Sequence, residues 1–272
     1  MRVPALALLS IFVCTSSVAA AQQTTTSQPT PSASQQSGQA MAVLGQALQA
    51  LGPGAVKDVT LTGTARRIAG SDDESGTVVL KALSSNEAEM DLSFPSGQRS
   101  EAVGRSDKGP VGKWTGPDGQ AHAIPRHNLM LDSAWFFPAL MLRRTGVNSR
   151  SVFALVGSET LDGRAVEHLT AWQQFPFLTG DMATRFQHLS QMEIYLDSST
   201  LLPVALAFNA HPDNNLLVDI PVEVRYLDYR AVNGVEVPFH VQKLINNTLA
   251  LDLQFQSATL NSGLTPSSIS AQ

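Results

Sequence analysis

Ionised side chains are scarce in this 272-residue chain, with Asp, Glu, Lys and Arg making up 15% of it against roughly 25% in an ordinary soluble domain. Positive charge is the scarcer sign. Eighteen Lys and Arg face 23 Asp and Glu, for a net charge of −5, so the basic footprint that phosphate backbones demand is missing and no nucleic-acid partner is expected. Cysteine occurs once, at Cys14, which excludes a disulfide framework within the chain and thiolate metal clusters. Long apolar runs are absent too: the longest near the N-terminus, Val3 to Val13, is well short of the roughly 18 residues that span a bilayer. Nor does the chain carry a G-x-S-x-G elbow, a P-loop, H-E-x-x-H or S-x-x-K in a suitable setting, so no familiar nucleophile or phosphate cradle is offered. The 43% hydrophobic content is nevertheless enough for a substantial core.

What is present begins with an address. Arg2, the apolar stretch Val3 to Val13 and Ala19-Ala20-Ala21 follow the order of a secretory signal, with cleavage expected after Ala21 and a periplasmic or secreted destination. Cleavage leaves 251 residues, 17 basic against 23 acidic side chains and no cysteine. Residues 22–38, rich in Ser, Thr, Gln and Pro, hold nothing apolar larger than alanine and read as a flexible tether. A single domain over 39–264 and a tail over 265–272 complete the expected organisation.

The domain opens with Met41, Val43, Leu44, Leu48 and Leu51 at helical spacing, stopped by Gly52-Pro53-Gly54, which predicts a short amphipathic helix. Most of the remainder alternates with a period of two. Val222 to Tyr226 and Val235 to Val241 flank Asn233-Gly234, the pair that supplies two positive φ values to a type I′ hairpin. Asn246-Asn247 and Asp162-Gly163 punctuate similar pairs, and Met192, Ile194 and Leu196 run into a turn at Asp197-Ser198-Ser199 before Leu202–Phe208. With Val59–Ile68, Thr77–Leu83, Ala88–Phe94 and Arg99–Val103 the total is around ten antiparallel strands, so the fold class is mainly β (α+β): a large curled sheet or half-open barrel.

One stretch breaks the alternation. Asn128 to Arg144 is nearly continuous apolar and built from Leu and Met, which predicts a helix near 133–143, apolar all round and therefore buried inside or across the mouth of the sheet. A curled sheet of this size is wider than its own side chains fill, so an apolar ligand cavity is expected, lined by Trp135, Phe136, Met141, Trp172, Phe208, Tyr226, Phe239 and Phe255.

Groups able to do chemistry are dispersed. The six histidines, at 122, 127, 168, 188, 211 and 240, form no metal-ligand spacing, and Asp72-Asp73-Glu74 lacks the spacing of a calcium loop and reads as a solvated turn. A hydrolase would need a spatial convergence such as His168 or His188 with Glu193. No cofactor, metal or catalytic residue is assigned, and a monomer is expected.

Met90-Asp-Leu-Ser-Phe-Pro-Ser-Gly97 followed by Trp114, Glu193-Ile-Tyr-Leu-Asp197 with Leu202-Pro203, and Tyr226-Leu-Asp-Tyr-Arg230 with Val232-Asn-Gly-Val-Glu-Val-Pro-Phe239 together resemble the LolA/LolB-like superfamily of periplasmic lipoprotein carriers. The resemblance spans about 39–264. It implies a half-open β-barrel closed by helices over an apolar cavity, and a non-enzymatic role holding an acyl chain, a lipid or an acylated protein. The chain departs from the carriers at one place: Lys81-Ala82 stands near where their Arg-Pro pair falls, so the resemblance extends to fold and apolar ligand and not to lipoprotein trafficking. A filled-core interaction module of the envelope is the alternative.

Overall fold

The computed structural model describes residues 33–271, the first four of them by backbone alone. The signal segment and 22–32 of the tether lie outside the described residues. Helix α1 (Ala33–Ala50) is followed by β1 (Asp58–Ala69), β2 (Asp72–Leu83), β3 (Ala88–Phe94), β4 (Gly97–Ser106), β5 (Gly109–Thr115) and β6 (Ala121–Ala123). A 3-10 turn (Arg126–Leu129) and α2 (Pro138–Val147) lead to β7 (Ser151–Leu161) and β8 (Arg164–Gln173), then α3 (Gly180–Ser190). The chain closes with β9 (Met192–Asp197), β10 (Pro203–Ala210), β11 (Ile220–Val232), β12 (Val235–Ile245) and β13 (Thr248–Leu260).

All thirteen strands belong to one open sheet in the order β6-β5-β4-β3-β2-β1-β13-β12-β11-β10-β9-β8-β7. It consists of two meanders, β1 to β6 and β7 to β13, joined where β1 pairs antiparallel with β13. The two edge strands, β6 and β7, are consecutive in sequence. The chain between them must therefore travel from one edge of the sheet to the other, and that strap is the apolar segment containing α2.

The turn chemistry is borne out in the backbone. Asn233 and Gly234 have φ of 51° and 78°, Asp162 and Gly163 of 49° and 80°, and Asn246 and Asn247 of 49° and 60°, the paired positive values that type I′ hairpins require. Alternation then fixes the faces: Val222, Val224 and Tyr226 of β11, Val237 and Val241 of β12, and Leu251, Leu253 and Phe255 of β13 join one buried core with Leu61, Leu80 and Ile194.

Several expectations are corrected. The sheet holds thirteen strands rather than around ten, because β5 and β6 extend it; Pro110, Gly109 and Gly112 obscure β5 in the sequence. Helix α1 begins at Ala33, six residues inside the stretch read as tether. The strap helix starts at Pro138 rather than 133, since proline disfavours helical backbone in the residue before it, and Phe137 has φ −133°, ψ 87°. Just before it, the Ala134 N–H donates to Asp132 at 2.8 Å in an Asx turn. The C-terminal tail is docked: Ile269 and Ala271 are buried with Leu83 and Ala102, and the Ser270 N–H donates to Glu89 at 3.1 Å.

Candidate functional site

The strap crosses the sheet with its apolar side chains on the inner face. Phe136 and Phe137 precede α2, while Ala139, Leu140, Met141 and Leu142 form its first turns; all are buried in the main core, Phe136 being 1% exposed. Trp135 lies against two sheet residues. Its carbonyl accepts the Tyr226 hydroxyl, and the Lys243 ammonium sits 4.6 Å from its ring centroid, within cation–π range. Burial pushes the Tyr226 phenol well above its ordinary range, and the Asp132 charge adds to this, so it remains a neutral donor. Lys243 pairs across the sheet with Val224 and Leu251, both core residues, which places a cation on the apolar inner face.

The strap is tied at its ends by charge. Arg144 forms a nearly buried ion pair with Asp132 and donates to the Leu83 carbonyl at 2.7 Å. Arg143 donates to the Gly52 carbonyl at the end of α1, and burial lowers its guanidinium pKa. Gly52 itself has φ of 108°, and a β-carbon there would meet the Gly234 carbonyl at 2.1 Å; only glycine lets the end of α1 seat on the β11–β12 hairpin.

Seven of the eight residues expected around the apolar interior converge there. Trp135, Phe136, Met141, Tyr226, Phe239 and Phe255 are core members, and Phe208 packs against them half-buried. Trp172 does not join them. In β8 the partners Leu169–Ile194 and Ala171–Met192 face inward, so His168, Thr170 and Trp172 face the opposite side; period-two alternation, not aromatic character, decides this. Sequence reading missed Lys243, whose cross-strand neighbours reveal it, and the Asp132–Arg144 pair, whose members lie 12 residues apart in the strap.

The outer face carries its own polar cluster. His168 Nε2 lies 2.8 Å from Glu193, Glu159 stands 2.9 Å from Nδ1, and the ring stacks on Tyr195 at 4.4 Å. Burial would raise the Glu193 carboxyl, but hydrogen bonds from His168, Gln191 and Thr170 outweigh it and hold it below its usual range. The convergence that a hydrolase would need thus exists for His168, whereas His188 pairs with Asp219. The His168 group is a cross-strand network in which the Glu193 carboxylate already makes three hydrogen-bond contacts, while the buried His168 Nδ1 has no hydrogen-bond partner. At the β1–β2 hairpin Asp73 pairs with Arg66 and Glu74 with Arg67 and Arg99, so arginines answer the acidic run. An open cleft of about 660 Å³ beside β3–β5 is lined by Asp91, Gln98, Arg99 and Thr115 and is polar, unlike the interior expected from the sequence.

An open antiparallel sheet crossed by an apolar strap defines the half-barrel of the LolA-like fold, and known structures agree. A LolA superfamily protein from Nitrosomonas europaea superposes with a TM-score of 0.52 at 12% identity, covering 84% of this chain and 96% of its own. A domain from Vibrio parahaemolyticus named as an outer membrane lipoprotein-sorting protein gives 0.51 at 11% identity over 84% and 95%. A DUF1329 family protein from Desulfovibrio piger gives 0.50 at 10% over 85% and 95%. At such identities the likeness is one of fold. No protein-family model and no curated protein sequence matches the chain. Among the described residues, no helix is long and apolar enough to cross a membrane.

Proposed function

We propose that this is a periplasmic or secreted, non-enzymatic carrier that holds an amphiphile with an acyl chain behind the strap. The carrying observation is the strap itself: a run of aromatic, Leu and Met side chains occupies the inner face of an open sheet, fastened through α2 by Arg144 to the Leu83 carbonyl and by Arg143 to that of Gly52. Side chains of this kind are the surrogate an acyl chain would replace, at about 25 cal/mol per Å² of apolar surface covered. Lys243, the inward cation beside Trp135, selects an anionic head group. The Vibrio parahaemolyticus neighbour named for lipoprotein sorting accords with such a ligand.

A titration of palmitate into a W114F/W172F variant, which leaves Trp135 as the sole tryptophan, tests the reading. Saturable change in Trp135 emission is expected, and Lys243→Met weakens palmitate by roughly tenfold, the loss of about 1.4 kcal/mol, while leaving neutral monopalmitin unaffected. Equal loss for both ligands contradicts the head-group role. The second reading, a filled interaction module, is favoured by the near-complete burial of Phe136, Phe137 and Leu140 to Leu142; it predicts emission indifferent to every amphiphile.

A further inference from the structure

The sequence scatters its histidines, but the fold gathers two of them with a carboxylate at a place unrelated to the strap. We propose that His188, His211 and Asp219 form a binding site for a divalent transition metal of the zinc type. His188 lies in the last turn of α3, His211 directly after β10 and Asp219 directly before β11, so the 211–219 connection folds back onto the helix end. The ligand atoms these side chains offer all lie within 4.8 Å of one another. His188 Nε2 is 2.8 Å from Asp219 Oδ1, and His211 Nδ1 is 3.5 Å from the same oxygen. Two imidazoles and a carboxylate suit zinc, leaving a fourth position for water.

Two observations distinguish this group from ordinary surface pairing. The His211 side chain is 1% exposed, yet its Nε2 has no hydrogen-bond partner. Its Nδ1 lies 3.1 Å from the Val218 carbonyl and 3.5 Å from Asp219 Oδ1, so a metal held at Nδ1 displaces the proton shared with that carbonyl, which then passes to the unpartnered Nε2. The surroundings are also built to hold the ligands still. Asn128 clamps the His211 backbone from both sides, donating to its carbonyl at 2.8 Å and accepting from its N–H at 3.1 Å. Asn209 donates to Asp219 Oδ2 at 3.1 Å, leaving Oδ1 toward the histidines. His188 and Asp219 are about half exposed, so an ion reaches the site from solvent. A bound metal replaces the His188–Asp219 hydrogen bond and locks the 211–219 connection to α3.

The test uses the chain without residues 1–21, purified without a polyhistidine tag and stripped with chelator, in equilibrium dialysis against zinc chloride. One zinc per chain is expected. Melting temperature should rise by roughly 5 °C when free zinc is about 100-fold above Kd, and cobalt should give the visible absorption of a tetrahedral site. His188→Ala and Asp219→Asn, both at exposed positions, should each lower zinc affinity at least about tenfold while melting like the parent in chelator. His240→Ala, at a histidine paired with Asp252 elsewhere, should leave binding unchanged. Sub-stoichiometric zinc, or full binding in both site variants, overturns the assignment. Because the readout is metal content, its failure is separate from any failure of amphiphile binding.

Discussion

Tyr226 shows how a single residue couples strap to sheet. Its hydroxyl reaches the Trp135 carbonyl from β11, so Tyr226→Phe leaves that buried carbonyl unpaired and should cost about 1–3 kcal/mol in urea unfolding, with little change in the m-value. Asp58 acts similarly at the foot of β1. Burial would raise its carboxyl, but the Ser262 hydroxyl and N–H at 2.8 Å and the Gly263 N–H at 3.0 Å outweigh this and lower it below 3.8. A depressed folded pKa means stabilisation that is present above the unfolded value and is lost as pH falls through the folded one. Melting followed from pH 6 to 2 should show that loss below about pH 4, and Asp58→Asn should flatten part of it; an unchanged slope contradicts the assignment.

At the scale of elements, β-hairpins were the most legible. Alternation plus Asn-Gly, Asn-Asn and Asp-Gly located the β7–β8, β11–β12 and β12–β13 turns and Ala88–Phe94 to the residue, because side-chain period and turn geometry are local properties, but stopped six residues short of the end of β11 and four short of the end of β12. Helix α3 was missed: Met182, Phe186 and Leu189 recur at helical spacing in GDMATRFQHLS, but the stripe is only three residues long and of these only Leu189 is buried. Partial burial also explains Trp172, whose face is set by the register of β8 and not by its own chemistry. The His188–His211–Asp219 group was illegible since its members come from three segments. The joint between α1 and the β11–β12 hairpin gives an element-scale prediction. Gly52→Ala must fit a β-carbon 2.1 Å from the Gly234 carbonyl at φ 108°, so it should destabilise by more than about 1 kcal/mol and lower Tm by at least roughly 2–4 °C in a thermal melt.

For the whole molecule, the topology leaves the strap little choice of path. Sheet edges β6 and β7 are joined by it, so the apolar run that interrupts the strand pattern must cross the inner face, and the scarcity of charge follows because both faces of that crossing are apolar. Native mass spectrometry of the protein isolated gently from a bacterial periplasm tests the carrier reading most directly. The account predicts one acyl-chain amphiphile per chain, predominantly with an anionic head group and reduced in a Lys243→Met variant. Protein that emerges free of lipid, and remains so after incubation with fatty acids and anionic phospholipids, contradicts it.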